Sequence, residues 1–376
     1  MDTITVTVDK PVYGGYCLAA IEGKIIFVPD AIPGEEVAVT ITRESKSYSF
    51  GEIVEILQPS PLRITPLCSL YPQCGGCSYL CAGYESELAW KKMIIEDSLT
   101  RVGKISGTDI PPIETMHHDR FHYRSHGTVK LFQGRAGFFE RGTNSLIPFQ
   151  GEGCLLLEQS LNRAMMDHTS DGTGYRLAID AEGRIFFSDK ESHTMSEREQ
   201  GLEYSRDIWN FFQANRFLRG KMLTTVLDYA GLTDKDTFLD IGCGVGFFTL
   251  ALARRSLGGT GVDMDRSSIG HAVQNAKING ITNVSFQAMA AADIHPGRHS
   301  PRAIIADPPR AGLDKKARKT INAIKAPVLV YVSCNPSTFS RDTADFIKEG
   351  YTLDRLTFID MFPGTHHIEL ISRFTR

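Results

Sequence analysis

Apolar and polar residues alternate at the start of the chain: "TITVTVD", "GKIIFVPD", "EEVAVTITRE" and "SFGEIVEIL" place apolar side chains on nearly every second position. A period of two belongs to a strand with one buried face, and the Gly and Pro in "VYGGYC" and "DAIPGEE" supply tight turns between strands. Residues 1–58 are therefore read as a small antiparallel β-barrel. An amphipathic helix is predicted near Glu85–Val102, followed by antiparallel strands and turns through to Cys154, so residues 59–198 form a mixed α+β segment. From residue 199 the pattern changes again. Short apolar runs ("TFLDIG", "TGVDM", "AIIADPP", "PVLVYVSC") alternate with helical ones ("FFTLALARRS", "SSIGHAVQNAKING"), which predicts an α/β domain over 199–376 with helices on both faces of a parallel sheet.

Composition narrows the class. The 376 residues exceed one ordinary core, and 42% apolar with 23% charged residues is a globular balance. No apolar run approaches the ~20 residues that span a bilayer. The opening "MDTITVTVDK" lacks the basic and apolar stretches of a secretion signal, so a cytoplasmic protein with no membrane partner is expected. A net charge of −3 carries no general signature of nucleic-acid binding, and any RNA must be held by a local basic surface. Arg124, Arg135 and Arg141 are candidate cations there, although surface ion pairing is the commoner role of such residues.

The eight cysteines are unevenly spread: Cys68, Cys74, Cys77 and Cys81 crowd together, while Cys17, Cys154, Cys243 and Cys334 are scattered. Disulfides are disfavoured in a reducing compartment, so the crowding points to a metal. Thiolates suit zinc and iron–sulfur clusters alike, and a purely local reading takes Cys81 as the fourth ligand.

"FLDIGCGVGFFTL" places Gly242, Gly244 and Gly246 between a strand and a helix, where glycine lets the backbone approach a ligand. Asp263 ends the next strand, in position to accept both hydroxyls of a ribose. A dinucleotide fingerprint requires a third glycine where Phe247 stands, so S-adenosylmethionine suits this loop better than a nicotinamide cofactor. Asp307 lies in "ADPPRAGLD", whose prolines hold the loop extended, and Arg310 disfavours base stacking at that point. Cys334, in "VYVSCNPSTF", ends an apolar strand before an Asn-Pro break. Taken alone it reads as core filler ahead of a thiol presented at the sheet edge.

The chain resembles the RNA uracil-5-methyltransferases, in the subgroup with an N-terminal TRAM barrel and an iron–sulfur cluster. The likeness runs end to end through "FFQAN" (Phe211–Asn215), "DIGCGVGFF", "DPPRAGLD", "VSCNPSTFSRD" and "MFPGTHHIE" in the family's order. It implies a TRAM/OB-like barrel, an α+β central domain bearing the cluster and contacting RNA, and a Rossmann-like class I S-adenosylmethionine methyltransferase domain. It further implies Cys334 as nucleophile and Glu369 as base, with Gln213, Asp263 and Asp307 contacting the cofactor or shaping its site. Gly242 and Phe247 would line the same pocket, and Asp293 would lie beside the adenine. Cys68, Cys74 and Cys77 match the cluster loop, with Cys154 as the distant fourth ligand in place of Cys81. A 4Fe-4S cluster is preferred to zinc. His366 and His367 are assigned structural or RNA-contact roles. The expected substrate is structured RNA, ribosomal rather than transfer RNA, and the expected state is a monomer. A cytosine-5 enzyme would carry a second cysteine in the Pro-Pro loop, where this chain has Asp307. A non-catalytic RNA-binding protein is countered by the intact pair Cys334 and Glu369.

Overall fold

The computed structural model describes residues 3–132, 134–149, 151, 153–170, 172–190, 193–298 and 300–376. Five strands, β1 (Thr3–Val12), β2 (Tyr16–Ile21), β3 (Lys24–Pro29), β4 (Glu36–Glu44) and β5 (Tyr48–Gln58), close into a barrel in the order β1-β2-β3-β5-β4. The alternation sets Val6, Val8, Ile26, Val28, Val37 and Val39 inside it.

After the cysteine-rich turns come α1 (Tyr84–Arg101) and β6 (Ile113–Met116). A five-stranded sheet follows, built from β7 (His126–Phe132), β8 (Arg135–Phe139), β9 (Leu146–Pro148), β10 (Gly174–Ile179) and β11 (Ile185–Phe187). Its order is β11-β10-β7-β8-β9, and α2 (Gln159–Asp167) packs Leu161 and Met165 against it. The hairpin of β12 (Thr194–Glu199) and β13 (Leu202–Asp207) spans the division expected at 198/199, pairing Glu199 with Leu202.

The remaining elements are α3 (Arg219–Ala230), β14 (Thr237–Ile241), α4 (Phe247–Ala253), β15 (Gly258–Asp263), α5 (Arg266–Ile278), β16 (Val284–Ala288), β17 (Ala303–Ala306), α6 (Lys315–Ile324), β18 (Val328–Ser333), α7 (Pro336–Lys348), β19 (Thr352–Ile359) and β20 (Glu369–Thr375). They build an eight-stranded sheet of order β16-β15-β14-β17-β18-β20-β19-β6. The first five strands are parallel, and β20 runs against both of its neighbours. One apolar layer joins α1, α6 and α7 to one face; α3, α4 and α5 pack on the other. Thus α1 and β6, read from sequence as part of the middle segment, pack with the α/β sheet. β6 pairs in parallel with β19 and covers what would otherwise be its open edge.

A buried charge network anchors α1. The ammonium of Lys91 donates to Glu87 at 2.7 Å and Asp360 at 2.8 Å, and all three side chains are fully buried. Arg120 reaches Glu87, Tyr84 donates to Asp360, and the Gly364 N–H donates to Glu87. Burial works to lower the Lys91 ammonium, but Asp360 and Glu87 outweigh it and hold the group above its ordinary value. The helix is thereby tied to residues 360–364, which precede β20. Lys91→Met strands two buried carboxylates and is expected to cost about 3–5 kcal/mol in urea denaturation. An unchanged midpoint would show that the network bears no stability.

Candidate active site

The chain runs outward from β14 through β15 to β16, then returns past β14 to β17 and β18. In open α/β sheets a crevice forms at the carboxyl ends of the strands flanking this reversal, here β14 and β17. Gly242 follows β14 and Asp307 follows β17. A Cβ on Gly242 would lie 2.4 Å from the Asp307 carbonyl oxygen, and its φ of +81° is a conformation that glycine adopts freely. The Asp307 N–H donates to the Ile241 carbonyl at 2.9 Å, which fixes the second wall.

Asp263 closes the third side. Its carboxylate accepts from the N–H of Gly244 at 2.9 Å and of Asp265 at 2.8 Å. Phe247 is buried at the start of α4, its ring 5.4 Å from that of Phe212. Next to Phe212, Gln213 is only 5% exposed. Asp293 lies on the same edge, four residues beyond Met289, whose N–H donates to the Asp263 carbonyl. Its exposed carboxylate pairs with Lys316 at 2.9 Å.

Sequence reasoning passed over Asp240, a carboxylate inside the apolar run of β14. It accepts from the Thr249 hydroxyl at 2.5 Å, and its second oxygen is unpartnered among the described residues. Burial, with Asp263 adding, pushes Asp240 up to about 7. Burial, then Asp240 and Asp263, pushes Asp307 up to about 7 as well. A polar residue within an apolar strand was the available signal. Trp209, Phe211 and Met264 also went unassigned, and their large side chains stand 59%, 64% and 74% exposed. Asn210, between the two aromatics, bonds Ser267 and Ser268 at the start of α5.

Sheet register brings the thiol and the second carboxylate together. β18 and β20 are antiparallel with Ser333 opposite Leu370, so one further step along the ladder sets Cys334 opposite Glu369. Asn335 then ends the strand and caps α7, accepting from the Ser337 N–H at 3.0 Å, with Pro336 as the first helical residue. Burial pushes the Cys334 thiol up to about 12; Glu369 and Asp307 add to this and Arg310 opposes it. Glu369 is 6% exposed, and burial, with Asp307 adding and Arg310 opposing, holds its carboxyl well above the usual range.

The loop before β20 is held from several sides. The Gly364 carbonyl accepts from the N–H of Ser78 at 2.8 Å and of Tyr79 at 3.2 Å, and Tyr123 donates to the Pro363 carbonyl. The Ser78 hydroxyl lies 3.2 Å from His366 Nδ1, and Arg310 donates to His367 Nε2 at 3.2 Å. Burial, with Arg310 adding, lowers His366 to about 4; burial, then His366 and Arg310, lowers His367 to about 3. Both rings are neutral at physiological pH.

Cys68, Cys74, Cys77 and Cys154 line one cavity of about 530 Å³. Cys81 does not line it: that thiol is buried beside the Tyr71 hydroxyl at 3.3 Å, packed with Tyr79 and Trp90. Among the described residues no three His, Cys, Asp or Glu side chains converge as a metal site. The donor chemistry nevertheless suits a soft metal. All four groups are thiols; burial raises those of Cys74 and Cys154, which the backbone N–H groups of Gly76, and of Leu156 and Leu157, only partly offset. Arg141, one of the candidate RNA cations, donates instead to the Cys77 carbonyl at 2.7 Å and pairs with Asp30 of the barrel.

Residues 180–373 match the family model described as tRNA (Uracil-5-)-methyltransferase, and residues 2–54 match the TRAM domain. Uncharacterized RNA methyltransferases of Aquifex aeolicus and Leptospira interrogans are 32% and 30% identical; the alignments span 98% and 95% of this chain and 97% and 91% of theirs. The crystal structure of Pyrococcus abyssi tRNA (uracil-54, C5)-methyltransferase with S-adenosyl-L-homocysteine shares the fold, at 21% identity and a TM-score of 0.76, covering 98% of this chain and 100% of that one. This barrel and α/β sheet are the fold of an RNA-modifying methyltransferase. The chain belongs to the RNA (uracil-5-)-methyltransferase family and is an enzyme of that kind.

The raised thiol makes a direct prediction for the free protein. Only the thiolate is nucleophilic, so iodoacetamide labelling of the Cys334 peptide, followed by mass spectrometry, should accelerate about tenfold per pH unit from pH 7 to 10. Flattening between about pH 9 and 10 would show that Cys334 ionises near its ordinary value.

Proposed function

We propose that this enzyme transfers a methyl group from S-adenosylmethionine to carbon 5 of a uridine in structured RNA, with Cys334 as nucleophile and Glu369 as base. The observation that carries the reading is that Cys334 and Glu369 directly adjoin Ser333–Leu370, the last pair of the β18–β20 ladder, beside the crevice walled by Gly242, Asp263 and Asp307. When bound, S-adenosylmethionine supplies a methyl group activated on a sulfonium. Asp263 has the two oxygens a ribose diol requires, Gln213 offers a buried side-chain amide, and Phe247 forms an apolar wall. Asp293 sits at the rim, where release from Lys316 frees it for the adenine.

Carbon 5 of uracil is a weak nucleophile. Once its proton has passed to solvent, the Cys334 thiolate adds to carbon 6 and places the electron pair on the enolate; carbon 5 then bonds the methyl carbon as the methyl–sulfur bond breaks and a neutral thioether leaves. Glu369 removes the proton from carbon 5, the carbon–sulfur bond breaks, and the thiolate leaves. Burial that raises Glu369 makes its carboxylate a stronger proton acceptor. The base must leave its stack to reach Cys334, and the exposed rings of Trp209 and Phe211 offer surfaces on which unstacked bases rest.

Cys334→Ala should lower methyl transfer at least about 10³-fold while leaving S-adenosylmethionine binding intact. Glu369→Gln should accumulate a protein–RNA adduct on denaturing gels, because release lacks its base. Turnover by the alanine variant would sink the nucleophile assignment. The sequence reading puts ribosomal RNA ahead of transfer RNA, whereas the matched family model carries a transfer-RNA name; mapping 5-methyluridine in both RNA pools of cells lacking the gene separates them.

The cavity lined by Cys68, Cys74, Cys77 and Cys154 is the proposed seat of an iron–sulfur cluster, whose positive irons would draw the four thiols into thiolates and cross-link residues 68–77 to residue 154. Protein purified anaerobically should be brown and contain iron and acid-labile sulfide. Colourless protein with one equivalent of zinc would replace the cluster with a zinc site.

A further inference from the structure

One wall of the catalytic edge comes from the barrel. The β1–β2 turn, Tyr13-Gly14-Gly15, seats against the loops that carry the candidate nucleophile and base. Gly15 has a φ of +84°, and a Cβ there would lie 2.6 Å from Ser78 Oγ and 3.4 Å from His366 Cβ. No side chain fits between turn and loop. The close seating delivers Tyr13 to Cys334: its hydroxyl donates to the Cys334 carbonyl at 3.3 Å, and its ring meets His366 edge-on with centroids 6.0 Å apart. The accepting carbonyl lies just beyond Ser333–Leu370, the last pair of the β18–β20 ladder, and just before Asn335, the cap of α7. Tyr13 thus braces the carbonyl side of the Cys334–Asn335 peptide, whose N–H side donates to Ser333 Oγ at 3.4 Å. Burial, with Cys334 and Glu369 adding, raises the phenol, so it stays a neutral donor.

We infer that Tyr13 is a positioning residue for methyl transfer, supplied by the barrel, whose hydroxyl holds the Cys334 peptide so that the thiol faces the bound base. The inference rests on the reading of Cys334 as nucleophile. The barrel is then a structural part of the catalytic site. A residue that only packed against His366 would act through its ring, and one that only touched RNA would act through affinity. Tyr13→Phe separates these, because it keeps the ring and deletes the donor.

The test uses the full-length protein and RNA carrying 5-fluorouridine, which blocks proton removal and traps the adduct. At saturating RNA and S-adenosylmethionine, Tyr13→Phe should form adduct about three- to tenfold more slowly, the effect of losing one hydrogen bond. The RNA KM, S-adenosylmethionine affinity and thermal midpoint should be unchanged, and amide exchange of residues 333–335 should rise several-fold. An unaltered adduct rate would overturn the inference. A raised KM with an unaltered rate would make Tyr13 an RNA contact, and a lowered thermal midpoint would make it a packing residue; either overturns it too. Cys334→Ala is measured in parallel: methyl transfer by that variant would refute the nucleophile reading whatever Tyr13→Phe shows.

Discussion

Because β20 runs against β18, the beginning of one strand lies beside the end of the other. Everything at the candidate site depends on that reversal. A parallel β20 would begin at the opposite edge of the sheet, and Glu369 would face away from the cofactor crevice. The antiparallel pair instead places Cys334, Glu369 and the loops after β14 and β17 along one edge. The two residues adjoin the last pair of the ladder, Ser333–Leu370, one on each strand. The same register explains why both groups hold their protons tightly: they share one poorly hydrated corner with Asp307, and Arg310 is the cation that opposes the resulting repulsion.

Acidic groups gather at this edge in a way that suits a cationic methyl donor. Asp240, Asp263 and Asp307 lie on adjacent strands; burial, with Asp263 adding, pushes Asp240 up to about 7, and burial, with Asp240 and Asp263 adding, pushes Asp307 up to about 7. A sulfonium bound in the crevice would offset that repulsion, whereas a neutral thioether would not.

Much of this edge was legible in the sequence because chemistry and element boundaries coincide there. Glycines after a strand, an aspartate ending the next and a cysteine before Asn-Pro all carry local signals. Glu369 carries none: its register partner is 35 residues distant, and only the resemblance through "THHIE" pointed to it. The middle of the chain was less readable. The apolar stripe of α1 announces a helix but not its partner, and β6 is four residues long, too short to declare which sheet it joins. Buried Lys91 looks like an ordinary charged helix residue until Asp360 folds against it. Spacing alone favoured Cys81 with its near neighbours, but the fold buries that thiol elsewhere and turns Cys154 into the shared cavity.

The contacts that close the site join distant parts of the chain: 288 residues separate Ser78 from His366, and 269 separate Lys91 from Asp360. Contacts of such long range carry a high loop-closure entropy and form only after the intervening units have folded and docked. The glycine loop and its strands, by contrast, are local to the α/β domain. During folding, the donor pocket therefore precedes the braced loop of the base, and a chain caught between those stages holds a donor pocket without a competent catalytic edge.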